Sequence, residues 1–132
     1  MSTKGLLDTS VFIASESGRG LDASALPDEG FVSVVTSAEL QVGVLAANDT
    51  STRARRLSTL GSIAHLEPLP IDREVAAHWA ELRVTLAQAG RKMNVNDLWI
   101  AATAVANDLA VVTQDSDFEA IEGLGGPRVI RV

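Results

Sequence analysis

A chain of 132 residues, 46% hydrophobic and 21% charged, suffices for one folded domain spanning residues 1–132 and excludes a disordered or fibrous protein. It contains no cysteine, which excludes disulfide staples, thiol nucleophiles, iron–sulfur clusters and thiolate zinc sites. A balance of 17 acidic against 11 basic residues, net −6, is the wrong sign for a protein that coats nucleic acid through a broad basic face. The same balance suits an enzyme that gathers acids around metal ions.

Short apolar runs alternate with helix-period segments, the pattern of a parallel sheet covered by helices. Residues 5–7 read as a strand ending at Asp8, with a helix beginning near Thr9 or Ser10. Residues 15–30, rich in Gly, Asp, Ser and Pro, read as a loop with one helical turn. The β-branched and aromatic run at 31–35 reads as a strand. Thr36 and Glu39 have capping-box spacing ahead of Leu40, Val44 and Leu45, so a helix is expected from Thr36 to about Ala47. A second helix is expected over 52–64, then a short strand at 65–69 closed by Pro70.

Asp72 is a suitable N-cap for a long helix with Val75, Trp79, Leu82 and Leu86 on one stripe, ended by Gly90. Asn94 or Asn96 caps the next helix, whose body from Leu98 to Val105 is nearly all apolar and therefore central. Residues 109–113 form a strand, 115–122 a loop with a short helix, and 129–132 a last strand. The expected architecture is a three-layer α/β/α sandwich around a mostly parallel sheet of about five strands. No run reaches 18 apolar residues, so no membrane span is expected. The opening MSTKGLLDTS meets Asp8 before a leader-like apolar stretch develops, so a soluble, cytoplasmic protein is expected.

In open parallel sheets, ligands bind in the crevice outside the carboxyl ends of the strands. Asp8 follows the first strand, Glu39 falls in the first turn of the helix after the second, Asp97 in the first turn of the central helix, and Asp115 and Asp117 follow the strand ending at Thr113. Carboxylates so gathered repel unless a cation or protons lie between them. Taken singly, Glu39 reads equally as the capping partner of Thr36, Asp97 as a dipole-favoured first-turn acid, and Asp115 and Asp117 as turn formers. Asp8 interrupts an apolar run, where burial demands a partner or a site. An all-oxygen ligand set without His or Cys favours Mg²⁺ or Mn²⁺ over zinc.

The segments LLDTSVFI (6–13), VVTSAELQVGV (34–44), NDLWIAATAVAND (96–108) and AVVTQDSDF (110–118) resemble the PIN-domain ribonucleases, and among them the VapC-type toxins of bacterial toxin–antitoxin pairs. The resemblance implies a PIN-like fold and a metal-dependent endoribonuclease with Asp8, Glu39, Asp97 and Asp115 as catalytic acids. It implies Mg²⁺, with Mn²⁺ as the alternative, held by these four and Asp117, and hydrolysis of tRNA, rRNA or mRNA to 5′-phosphate and 3′-hydroxyl ends. Thr9, Ser10, Asn96 and Thr113 would fix the carboxylates from behind. The implied partners are an RNA substrate, a cognate antitoxin and a second copy in a homodimer.

Arg53, Arg55 and Arg56 form the densest basic cluster, expected either to contact RNA or antitoxin or to be a solvated helix face. Arg19, Arg91 and Lys92 are further cations near loops. His65, His78, Trp79 and Trp99 read as structural, the tryptophans as core or dimer interface. A phosphoacceptor receiver fails on its acceptor Asp and its lysine. A haloacid-dehalogenase phosphatase fails because Ser10 stands where its second Asp belongs. The alternative from another class is a PIN-like module that binds RNA or a partner without cutting.

Overall fold

The computed structural model describes residues 2–132. In chain order the elements are β1 (Lys4–Leu7), α1 (Thr9–Glu16), a 3₁₀ turn at Ala23–Ala25, β2 (Glu29–Phe31), α2 (Val34–Leu45), α3 (Thr50–Ser62), α4 (Arg73–Gln88), α5 (Val95–Ala106), β3 (Ala110–Thr113), a 3₁₀ segment Asp117–Ile121 and β4 (Val129–Arg131). The sheet has the order β2-β1-β3-β4 and is parallel throughout, with Leu6 opposite Phe31 on one side and Val111 on the other. The chain leaves β1 toward β2 and leaves β3 toward β4, so the crevice at the switch point opens between the carboxyl ends of β1 and β3.

The α/β/α sandwich is the one expected, with four strands instead of about five. The strand expected at 65–69 shrinks to one bridge between Ser33 and Leu69. Pro68 and Pro70 lack N–H groups, leaving Leu69 alone to donate, to Val32 O at 2.8 Å, while Val34 N donates to Leu69 O. The strand expected at 31–35 ends at Phe31, because Ser33 caps a helix that starts at Val34. Ser33 Oγ accepts from Thr36 N at 3.1 Å, so Thr36 is a first-turn residue and not the cap. The Thr36–Glu39 capping box is therefore absent, and Glu39 falls in the second turn of α2. The helix expected over 52–64 runs from Thr50 to Ser62, capped by Asp49, whose carboxylate receives Thr52 N at 2.7 Å.

Leu6 and Val111, side by side in the sheet and fully buried, join Val75, Leu82, Leu86, Leu98, Ile100 and Phe118 in the main core. The α4–α5 pair thus covers this face, and α5 lies close because Ala101, Ala102 and Ala104 are fully buried small residues. Each fully buried Leu, Ile or Phe contributes about 1.5–3 kcal/mol. A smaller core of Val32, Leu40 and Ile63 joins α2 to α3. At Gly5 a Cβ would stand 2.6 Å from Val112 Cγ2, so glycine there permits the close β1–β3 approach. Gly90, at φ +68°, turns the chain out of α4 as expected. Trp79 of α4 stacks on Trp99 of α5, centroids 4.7 Å apart, which ties the two helices beside the crevice.

Candidate active site

Asp8, Glu39, Asp97, Asp115 and Asp117 line one cavity of about 370 Å³ at the carboxyl ends of β1 and β3, together with Thr9, Ser10, Ile13, Arg19 and Asn94. Elements far apart in sequence thus bring all five acids together. Ile13 and Asn94 also line it, and the sequence marked Asn94 only as a helix cap. Its side chain accepts from Asn96 N at 2.9 Å and Asp97 N at 3.4 Å, starting α5 so that Asp97 stands at the cavity.

Asp8 is only 3% exposed and caps α1. Its Oδ2 accepts from Ser10 Oγ at 2.7 Å and from Thr113 Oγ1 at 3.0 Å. Those hydroxyls accept in turn from Gln114 N and Asp115 N, each at 3.0 Å. A relay therefore runs from the loop after β3, through two hydroxyls, to a buried carboxylate. Burial pushes the Asp8 carboxyl up, and the Ser10 and Thr113 bonds hold it back. Glu39 is held differently, with Thr9 Oγ1 donating to Oε1 at 2.7 Å and Asn96 Nδ2 to Oε2 at 3.5 Å. Thr9 Oγ1 also lies 3.0 Å from the buried Thr36 Oγ1, which links α1 to α2 behind Glu39.

Asp97 is pushed up to about 7, first by burial and then by Asp8, Asp117, Glu39 and Asp115. Asp115 also rises, through burial and the charges of Asp8 and Asp117, against the pull of Arg19 and Arg131. Among the described residues no three carboxylates converge tightly enough to ligate one ion as the side chains stand. Such spacing is expected of like charges that repel. The donor set is nevertheless hard oxygen throughout, and the raised carboxyls mark a place where positive charge would be stabilising.

Arg53, Arg55 and Arg56 do not line this cavity. Arg53 donates to Ala47 O at 3.1 Å and Arg56 to Gly43 O at 2.7 Å, so both cap carbonyls at the end of α2 and brace the α2–α3 hairpin. Arg55 is exposed on α3.

Thr113→Val tests the relay, because it keeps the side-chain volume while removing a donor to Asp8 and the acceptor of Asp115 N. The expected loss is about 1–3 kcal/mol. It should be larger at pH 8 than at pH 5, because the lost donor favours the ionised carboxylate. Urea unfolding at the two pH values measures this; an equal loss at both would show that Thr113 does not act through Asp8.

Residues 5–124 match the PIN domain family profile. The chain is 56% identical over 128 residues to Ribonuclease VapC5 of Mycobacterium tuberculosis, covering 97% of this chain and 95% of the relative. It is 46% identical over 118 residues to Ribonuclease VapC4 of the same organism, covering 89% and 91%. The crystal structure of VapBC-5 from Mycobacterium tuberculosis, a member of the VapBC family of toxin–antitoxin systems, matches with TM-score 0.92 at 52% identity, over 98% of this chain and 99% of that one. FitAcB from Neisseria gonorrhoeae matches with TM-score 0.72 at 28% identity, over 94% of each chain. By sequence and by fold, the chain belongs to the PIN-domain family, in its VapC branch.

Proposed function

We propose that this chain is the ribonuclease toxin of a toxin–antitoxin pair, an endoribonuclease that uses Mg²⁺ or Mn²⁺ held by Asp8, Glu39, Asp97 and Asp115, with Asp117 beside them. The supporting observation is the convergence of these five carboxylates on one cavity at the sheet's switch point. A bound divalent ion would supply the charge that keeps the acids ionised, polarise the scissile phosphate and lower the pKa of water. Within the protein, Ser10 and Thr113 orient Asp8 and favour its ionised form against the effect of burial, while Thr9 and Asn96 fix Glu39. Asp97 takes its position from the cap of α5, and its proton is free to leave near neutrality. Hydrolysis of this kind leaves 5′-phosphate and 3′-hydroxyl ends.

The same reading includes a cognate antitoxin and a homodimer. Val42 and Leu45 of α2 are 62% and 80% exposed, apolar surface of the kind that such contacts cover. No helix among the described residues is long and apolar enough to cross a membrane.

Purified, antitoxin-free protein incubated with total bacterial RNA should give discrete fragments carrying 5′-phosphates in Mg²⁺ or Mn²⁺. The fragments should vanish in chelator and with Asp97→Ala. A folded, metal-loaded protein that cuts nothing would instead point to a module that binds RNA or a partner without catalysis.

A further inference from the structure

A second groove lies on the other side of the turn that carries Asn94. It has a volume of about 260 Å³ and joins an apolar wall of Trp79, Met93 and Val95 to a cationic rim of Arg83, Arg91 and Lys92. The first turn of α5 separates it from the acidic cavity, with Asn94 and Asp97 lining one side and Val95 and Leu98 the other. A strand crossing the carboxylates would meet this groove on passing the first turn of α5.

Three of the chain's 11 basic residues meet here, in a protein of net charge −6. Their attachments differ. Arg91 Nη1 donates to Ala120 O at 3.2 Å and Glu122 O at 3.0 Å, so it also braces the end of the 3₁₀ segment. Arg83 and Lys92 are exposed and make no side-chain hydrogen bond or ion pair among the described residues; the ion pair there joins Arg131 to Glu119. Arg53 and Arg56 are occupied by the carbonyls of α2. Arg83 and Lys92 are therefore available to a ligand's negative charge. The acidic cavity, with Arg19 as its one cation, repels the phosphates that flank a cleavage point.

We propose that this groove is the substrate-holding subsite, in which Arg83 and Lys92 bind backbone phosphates of single-stranded RNA and the Trp79–Met93–Val95 wall takes an unstacked base. The proposal rests on the ribonuclease reading and adds a holding surface to it. Phosphate contacts set register and affinity, while an apolar wall accepts a base face without demanding a sequence.

The test compares wild-type protein with Arg83→Glu/Lys92→Glu, and with Lys4→Glu/Arg128→Glu as a control of equal charge change, on exposed cations at the amino-end edge of β1 and β4. The full chain is titrated in chelator with a short fluorescein-labelled single-stranded RNA, read by anisotropy and by tryptophan emission. The groove pair should weaken binding about tenfold and reduce the salt slope by about two, with less than a threefold effect in the control pair. Antitoxin capture should be unchanged. Equal losses in both pairs would reduce the effect to net charge and overturn the proposal. So would unchanged RNA binding, or loss of antitoxin capture alone, which would assign the groove to an acidic antitoxin segment. Because binding is read without turnover, absence of cleavage would sink the enzyme reading separately.

Discussion

Asp97→Asn is expected to abolish RNA cleavage and, in the same molecule, to raise the melting temperature of the metal-free protein at pH 8. Burial and four neighbouring acids push Asp97 up to about 7 from an ordinary 3.8. The folded state therefore holds a proton that the unfolded chain releases between about pH 4 and 7. Its stabilising contribution is complete below the unfolded pKa and lost as pH rises through the folded one. Asp8 and Asp115, also raised, act with the same sign.

Wild-type protein in chelator should thus melt lower at pH 8 than at pH 5. Asparagine keeps the shape and removes the repulsion at every pH. Because Asp97 is half-buried and screened by solvent, the gain is about 1–2 kcal/mol, a shift of several degrees. On the proposed reading, in which Asp97 is one of the acids that hold the metal, activity should fall roughly 10³-fold or more. Thermal melts of both proteins in chelator at the two pH values settle the matter. A wild type equally stable at both, or a less stable variant, would show that the acids are not in conflict. An acid whose ionised form destabilises its own fold is the expected signature of a site built to hold a cation.

Phe118→Ala should be the most damaging core substitution near the site. Phe118 is fully buried and heads the set of large buried side chains. It belongs to the 3₁₀ segment Asp117–Ile121, whose short ladder gives little stability of its own, so packing against the main core holds the segment in place. Truncation should cost about 3–5 kcal/mol. Asp117 at the head of the segment and Asp115 before it should then lose their fixed places. Cleavage by the still-folded fraction should fall further than stability alone accounts for. Urea unfolding combined with kcat per folded molecule measures both. A loss under about 1 kcal/mol would mean that another contact anchors the segment.

What the sequence could convey depended on how local each signal was. Asp72 caps its helix as read, and Asn94 is the cap of the two read for α5, because a cap and the N–H groups that donate to it are two or three residues apart. Asp8 was legible as a polar break in an apolar run. Glu39 was placed at the cavity for a partly mistaken reason. Thr36 and Glu39 match a capping box, but Ser33 offers an earlier cap, and choosing between two overlapping caps requires knowing where β2 ends. The strand at 65–69 looked plausible by composition, whereas two prolines leave it one donor.

The basic run at 53–56 reads as a ligand contact or a solvated face, and neither reading finds the carbonyls of α2, because these lie across a helix hairpin, 13 residues away for Arg56. The relay onto Asp8 was not readable as geometry at all. Ser10 and Thr113 become neighbours only because β1 and β3 pair, and no local pattern announces that pairing. The family resemblance pointed to the same hydroxyls without saying whom they touch.

That pairing also sets the order in which the cavity can assemble. The central strand β1 is synthesised well before its partner β3, with Thr113 and Asp115. The hydroxyl that steadies Asp8 comes from 105 residues downstream. Every earlier length of nascent chain lacks half the sheet's centre and two or more of the acids, so it has no cavity to close. Such non-local pairing is slow to form and forms cooperatively. The cavity is therefore a property of the completed β1–β3 pairing, and no shorter length of chain carries it.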